Sequence, residues 1–304
     1  MERSVRSDLP IGEPAPPPRR KGTRRGKRSA PYLLQAPANL WQIVFFVVPM
    51  LAMLVLSLES GNSRAGFSFT WEFGNYTRAL TDYDQQYLNT FRNATVVTLI
   101  SLLVSYPVAY WIAFYGGRRK STFLFLVLLP FLVSFVIRTL AWNFILADDG
   151  IVLGPLKNWG VLSSEFHILA TTFAVVAGIT YNLLPFTILP LFVSLDRIDP
   201  RLVEAANDLY ASRAQAFRKV VFPLSLPGVF AAVLLTFIPA VGDYVNAEIL
   251  GGPGTRMIGN MIYSQFITLR NYPEASALAF IVMFLMLVGA VLYARVLGTE
   301  EITT

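Results

Sequence analysis

The 304-residue chain contains no cysteine and a single histidine. Without thiols there is no disulfide framework, iron–sulfur cluster or thiolate metal site, and one imidazole makes a histidine-built metal site equally unexpected. Charge is scarce as well. Asp, Glu, Lys and Arg make up 14% of the residues against 54% hydrophobic, where a soluble domain carries about 25% charged residues. Mean hydropathy is +0.52. Nor is there a G-x-x-x-x-G-K-[ST] phosphate loop. The glycine cluster Gly251-Gly252-Pro253-Gly254 lacks both the Lys and the following hydroxyl and reads as a turn. The chain is therefore expected to catalyse nothing itself and to hold no metal or cofactor.

The charge that is present is unevenly placed. Residues 1–36 hold nine Lys/Arg and three Asp/Glu, which accounts for the net +6, and residues 37–304 balance at sixteen of each sign. This basic stretch, with Pro16-Pro17-Pro18-Arg19-Arg20-Lys21 and Arg24-Arg25-Gly26-Lys27-Arg28, is too polar to bury a core and is expected to be disordered. Its expected work is to set topology and attract anionic lipid headgroups, with no nucleic-acid role. It is too long for the n-region of a secretory signal, and no A-x-A site closes the apolar run that follows. The first apolar run is read as an uncleaved span.

Crossing a bilayer takes about 20 mostly apolar residues. Six stretches qualify, near 40–58, 91–115, 121–146, 168–195, 224–247 and 274–297. Together they make a membrane domain over 37–298, followed by a short tail at 299–304. The Lys/Arg bias orients it. The basic tail, the Gly116-Gly117-Arg118-Arg119-Lys120 loop and the loop 196–222, with Arg197, Arg201, Arg213, Arg218 and Lys219, fall on one side, expected to be cytoplasmic. The acidic loops, with Glu59, Glu72, Asp82, Asp84, Asp148, Asp149 and Glu165, fall on the other. Both termini are expected in the cytoplasm. Pro49, Pro107, Pro130, Pro185, Pro190 and Pro239 lie within the spans and predict kinks, which a bundle tolerates by re-satisfying freed carbonyls.

The loop 196–222 is long and capped, unlike a plain connection between spans. Asp199-Pro200 reads as an N-cap followed by Pro at the first helical position. Leu202, Ala206 and Leu209 then fall on one stripe, and Glu204 and Asp208 share another face. Ser212 starts a second helix, with Gln215 completing a capping box. The small residues Ala205 and Ala206 permit close approach of another surface, to which Glu204 offers a carboxylate. The bland alternative is an interfacial amphipathic helix.

The run Glu204-Ala205-Ala206-Asn207-Asp208-Leu209-Tyr210-Ala211-Ser212, followed by Pro223-Leu224 and Pro227-Gly228, resembles the EAA loop of ABC importer permeases. That pattern has a glycine six residues after the Glu, where this chain has Tyr210. Further along, Arg138-Thr139-Leu140-Ala141-Trp142, Ile238 through Tyr244, Glu248 through Gly252, Met257 through Asn260, Gln265-Phe266 and Arg270 through Pro273 are similar to the spermidine/putrescine subfamily. The resemblance implies an all-α integral membrane fold: six transmembrane helices with a cytoplasmic coupling helix-turn-helix, like an ABC type I importer permease. It also implies a bacterial inner membrane setting and three kinds of partner: an ATPase dimer carrying ATP and Mg, a second permease subunit of a different chain, and an extracytoplasmic substrate-binding protein. Residues 204, 205, 206 and 208–212 would couple to the ATPase. Substrate would be a polyamine. The alternatives are another solute of the same importer class (an opine-like compound, another organic cation, sulfate or a sugar) or an ATP-independent secondary transporter. The last predicts repeated halves or broken helices with midplane charges, which the sequence does not display.

A chain of ammonium groups calls for carboxylates and aromatic faces. Asp243 and Glu248, with Tyr244 between them on the Glu248 face, stand at the outer end of the fifth span, and an acid at membrane depth is a functional candidate because its burial is costly. Arg138 opposes a cationic substrate and is expected to pair with Asp243 or a loop acid, or to contact the binding protein. Trp142 offers a cation–π face, although Trp near a span end also serves as an interfacial anchor. His167 is expected to be an ordinary interface residue.

Overall fold

The computed structural model describes residues 30–62, 64 and 66–297. Most of the expected basic tail, and the expected tail at 299–304, lie outside the described residues. Helix is already present at Ala30, within the range expected to be tail.

Two units are distinguished, one up to Met50 and one from Leu51 onward. The first carries α1 (Ala30–Gln42), which a π-helical turn at Ile43–Val47 joins to α2 (Val48–Ser57). The run Gln35–Ser57 is long and apolar enough to cross a membrane.

The second unit takes in α2 from Leu51 on and then forms a hairpin that an all-helical reading does not anticipate. Its strands are β1 (Glu59–Asn62) and β2 (Gly66–Phe69), antiparallel with Glu59 opposite Phe69. Helices α3 (Gly74–Thr81) and α4 (Asp84–Tyr115) follow, then α5 (Lys120–Leu128), α6 (Phe135–Leu146), the short α7 (Leu153–Asn158) and α8 (Thr172–Asp196). The exposed pair α9 (Pro200–Asp208) and α10 (Arg213–Ala216) leads through a π-helical turn, Phe217–Val221, into α11 (Phe222–Gly242). The chain closes with two one-turn pieces, α12 (Val245–Leu250) and α13 (Ile258–Tyr263), and α14 (Tyr272–Leu297).

Helices α4, α8 and α11 form the centre. One cluster joins Ala94 and Val97 to Val175, Ile179 and Leu183 and to Ala240 and Val241. A second, further along the same helices, joins Ala109 and Ile112 to Leu191 and Leu195 and to Val221 and Ala232. In lipid, helix association depends on close backbone approach at small residues. Gly228 of α11 shows this: a Cβ there would stand 2.3 Å from Ser194 Cβ and 2.8 Å from the Pro190 carbonyl oxygen of α8. The outer faces keep large apolar side chains exposed, as with Leu103 of α4 and Phe284, Leu287 and Leu292 of α14, which suits a lipid solvent.

Five helices are long and apolar enough to span a membrane, and a sixth span results when Gly117–Leu132 and Phe135–Leu146 are taken together. Those two pieces meet at 85°. The expectation of one continuous third span over 121–146, kinked at Pro130, is therefore corrected, as is the absence of broken helices. Val133 and Ser134 are extended, with ψ of 141° and 136°, just after Pro130 has opened the helix ladder. The fifth span also ends before its expected limit of 247. Asp243 turns extended at ψ 116°, and its side chain accepts from Asn246 N at 2.8 Å to start α12.

Candidate functional site

Two regions carry functional chemistry: the exposed α9–α10 element and a cavity where the third and fifth spans break.

The caps of α9–α10 form as the residue types dictate. The Asp199 side chain accepts from Arg201 N at 2.9 Å. Ser212 Oγ accepts from Gln215 N at 3.3 Å, while Ser212 N donates to Gln215 Oε1 at 2.8 Å. Between them Tyr210 adopts φ 59°, the left-handed conformation a glycine would take. Tyr210 N donates to Asn207 O at 2.9 Å and Ala211 N to Ala206 O at 3.1 Å, the two bonds of a Schellman motif with tyrosine in the glycine position. The turn expected from a glycine is thus built unchanged, with the strain accepted. For a residue bearing Cβ that strain is about 1–2 kcal/mol. Tyr210→Gly should therefore stabilise the turn by about 1 kcal/mol, read as slower hydrogen exchange at the amides of 209–211. Faster exchange would show that the tyrosine ring holds the turn.

One end of the element is clamped and the other projects. Ala216 and Val221 are buried. Phe217 packs edge-on against Tyr106 and Tyr110 of α4, with ring centroids 5.7 and 5.9 Å apart. By contrast Glu204, Ala205 and Asp208 are exposed, and Leu209 and Tyr210 are 82% and 98% exposed. Leu202, on the same stripe as Leu209, is also uncovered. Leu202, Leu209 and Tyr210 of this element thus stand uncovered among the described residues.

The cavity, of about 550 Å³, is lined by Phe131, Ser134, Phe135, Arg138, Asn182, Phe186, Asp243 and Tyr244, among others. Beneath it runs a buried polar network. Asn246 Nδ2 donates to Asp243 Oδ2 at 2.7 Å. Asn246 Oδ1 accepts from Thr139 Oγ1 at 3.0 Å and from Asn182 Nδ2 at 3.2 Å. One asparagine so ties α6, α8 and the start of α12 together. Of the expected pathway residues, Arg138, Asp243 and Tyr244 meet at this cavity, whereas Glu248 and Trp142 do not line it. Glu248 instead accepts from Asn260 Nδ2 at 2.8 Å, and Trp142 packs edge-on against Tyr181 at 5.6 Å. Tyr244 stacks on Tyr263 with centroids 5.1 Å apart.

The expected ion pair of Arg138 is not formed. Among the described residues the salt bridges join Lys120 to Asp196 and Asp148 to Lys157 and His167. Arg138 lies instead over the rings of Phe131 and Phe135, at 5.0 and 5.9 Å from their centroids. His167 sits outside α8, and hydrogen bonds from Lys157 and His167 hold the Asp148 carboxyl below its usual range. Sequence reasoning missed Asn182, Asn246 and the three phenylalanines. The signal for the asparagines was present: amides inside apolar runs are costly unless partnered, and their partners then define a site. The phenylalanines carried none, since aromatic side chains also face lipid.

The family described as binding-protein-dependent transport system inner membrane component matches residues 87–298. The chain is 36% identical over 256 residues to the spermidine/putrescine transport system permease protein PotB of Haemophilus influenzae, covering 84% of this chain and 90% of that protein. It is 33% identical over 251 residues to PotB of Escherichia coli, covering 81% and 91%. A chain of a bacterial ABC transporter involved in import of the acidic polysaccharide alginate superposes with a TM-score of 0.69 at 18% identity, over 89% of this chain and 95% of that one. A second alginate transporter structure, in complex with an alginate pentasaccharide-bound periplasmic protein, gives the same score at 19% identity, covering 90% and 94%. These two likenesses carry the fold alone, that of an importer permease.

Proposed function

The chain belongs to the binding-protein-dependent transport inner membrane components, a multi-pass permease of type I importer fold, and from that premise we propose that it forms the translocation path of an ATP-driven polyamine importer. The observation that carries the substrate class is the likeness to PotB proteins over more than four fifths of the chain. The Asp243 carboxylate in an aromatic-lined cavity is in keeping with it, because ammonium groups bind carboxylates and ring faces.

In this reading ATP and Mg belong to a separate ATPase dimer, since the chain has no phosphate loop of its own. The α9–α10 element faces the cytoplasm and seats in a groove of that ATPase, with residues 204–212 transmitting its closure to α11. A second permease subunit completes the path, and a periplasmic binding protein delivers substrate, as a neighbour of this fold was solved with such a protein. The 85° break in the third span is a feature that secondary transporters also use, so dependence on ATP is the discriminating property.

The test is uptake by the complete complex, purified through this chain and reconstituted in liposomes with its binding protein. Spermidine and putrescine should accumulate only with ATP inside. Accumulation without ATP would replace the reading with secondary transport, and failure of both polyamines would overturn the substrate class while leaving the family intact.

A further inference from the structure

Two opposite charges face the cavity at the span breaks without neutralising each other. Arg138 is 7% exposed, its Nε has no hydrogen-bond partner, and no ion pair reaches it among the described residues. The Phe131 and Phe135 rings stabilise its charge from the sides but accept no in-plane N–H. A guanidinium has five such donors in a fork that matches a carboxylate. A buried cation left without an anion is strongly disfavoured, so the arrangement calls for an acceptor from elsewhere.

The other face of the cavity asks for the reverse. Asp243 accepts from Asn246 N and Asn246 Nδ2 and from the Val245 backbone, which still leaves part of the acceptor capacity of a carboxylate free. Asn182 Nδ2 is used twice, toward Thr139 Oγ1 and Asn246 Oδ1, while Asn182 Oδ1 is buried with no donor. Both residues line the same cavity as Arg138. One wall therefore lacks an anion and the other lacks N–H donors. A simple polyamine supplies only the second and places its far ammonium toward the guanidinium.

We propose that this cavity takes a dipolar ligand, an amine that also carries a carboxylate or similar acidic group, with the acid on the Arg138 guanidinium and the ammonium on the Asp243 carboxylate. The assignment rests on the importer reading and adds a second ligand class beside its polyamines. Phe131, Phe135 and Phe186 would flank the apolar chain between the two ends.

Putrescine and 4-aminobutyrate form a matched pair of probes, with one ammonium of the first replaced by a carboxylate in the second. Their binding to the detergent-purified complex, without the binding protein, isolates the cavity from delivery. The wild-type complex should bind 4-aminobutyrate or its longer ω-amino homologues. Arg138→Gln should weaken that binding by at least about tenfold, with putrescine binding unchanged or tightened because a repelling charge is gone. Retained putrescine binding also reports that the variant is folded. Arg138→Lys keeps the charge without the fork, and should fall between wild type and Gln for 4-aminobutyrate. The proposal is overturned if no ω-amino acid binds the wild type, or if Arg138→Gln weakens both probes equally or neither. ATP-driven putrescine uptake in the reconstituted complex tells whether the importer reading stands in that event.

Discussion

Glu204→Lys is expected to abolish uptake while leaving the chain folded, inserted and present at normal levels. Within the chain Glu204 does no structural work: it is exposed on α9, with no hydrogen bond or ion pair among the described residues. Lys and Glu have nearly the same helix propensity, and the caps at Asp199 and Ser212 are untouched. The element is clamped through Phe217, Ala216 and Val221, so its projecting half keeps its position. If that half seats in the ATPase as proposed, the carboxylate faces a cation there, and reversal replaces an attraction by a repulsion in a desolvated contact. Losing one partner of such a pair costs about 2–5 kcal/mol, which corresponds to at least about thirtyfold in affinity. Co-purification of the ATPase should fall with uptake. Unchanged uptake at equal chain abundance would refute the docking role.

The same element shows how far sequence reasoning reaches. Its two caps are local chemistry, in which one side chain bonds a backbone amide two or three residues on, so residue type and spacing suffice. Tyr210 was legible too, as a residue standing where a left-handed turn is wanted, and the structure puts it at φ 59°. The breaks in the third and fifth spans were not legible. A hydropathy window sums apolar character and is blind to direction, so Gly117–Leu132 and Phe135–Leu146 read as one span although they meet at 85°. Pro130 signalled a kink, but its size is set by tertiary partners: the Thr139–Asn246 bond and the ring contacts of Arg138 hold α6 in its new direction. The site is lost for the same reason. Thr139, Asn182 and Asn246 are far apart in sequence and acquire meaning only when three helices bring them together. Arg138 was expected to seek an acid, but it lies against the Phe131 and Phe135 rings while Asp243 bonds Asn246.

Asn246→Ala should be the most destabilising small substitution at the site. Asn246 is fully buried and makes four bonds: with Asp243 at 2.8 and 2.7 Å, Thr139 at 3.0 Å and Asn182 at 3.2 Å. Truncation keeps the backbone bond to Asp243 and removes the other three. It strips a donor from a carboxylate and leaves one Asn182 amide hydrogen short of an acceptor, while the Thr139 hydroxyl falls back on the Phe135 carbonyl at 3.1 Å. Each buried polar group left unsatisfied costs about 1–3 kcal/mol, and bonds to a charged group are at the upper end. Water entering from the cavity would satisfy part of the deficit, so the net loss expected is about 3 kcal/mol, seen as a lower thermal midpoint of the purified complex. A network also behaves differently from a set of independent contacts. Thr139→Val alone should be clearly destabilising, yet less so in the Asn246→Ala background, where the hydroxyl keeps only the Phe135 carbonyl and Asn182 Nδ2 as partners. If the two losses simply add, Asn246 acts by filling space and the break between the fifth span and α12 is held by packing. If they fail to add, the geometry at Asp243, and with it the acidic wall of the cavity, is set by one amide reaching across three helices.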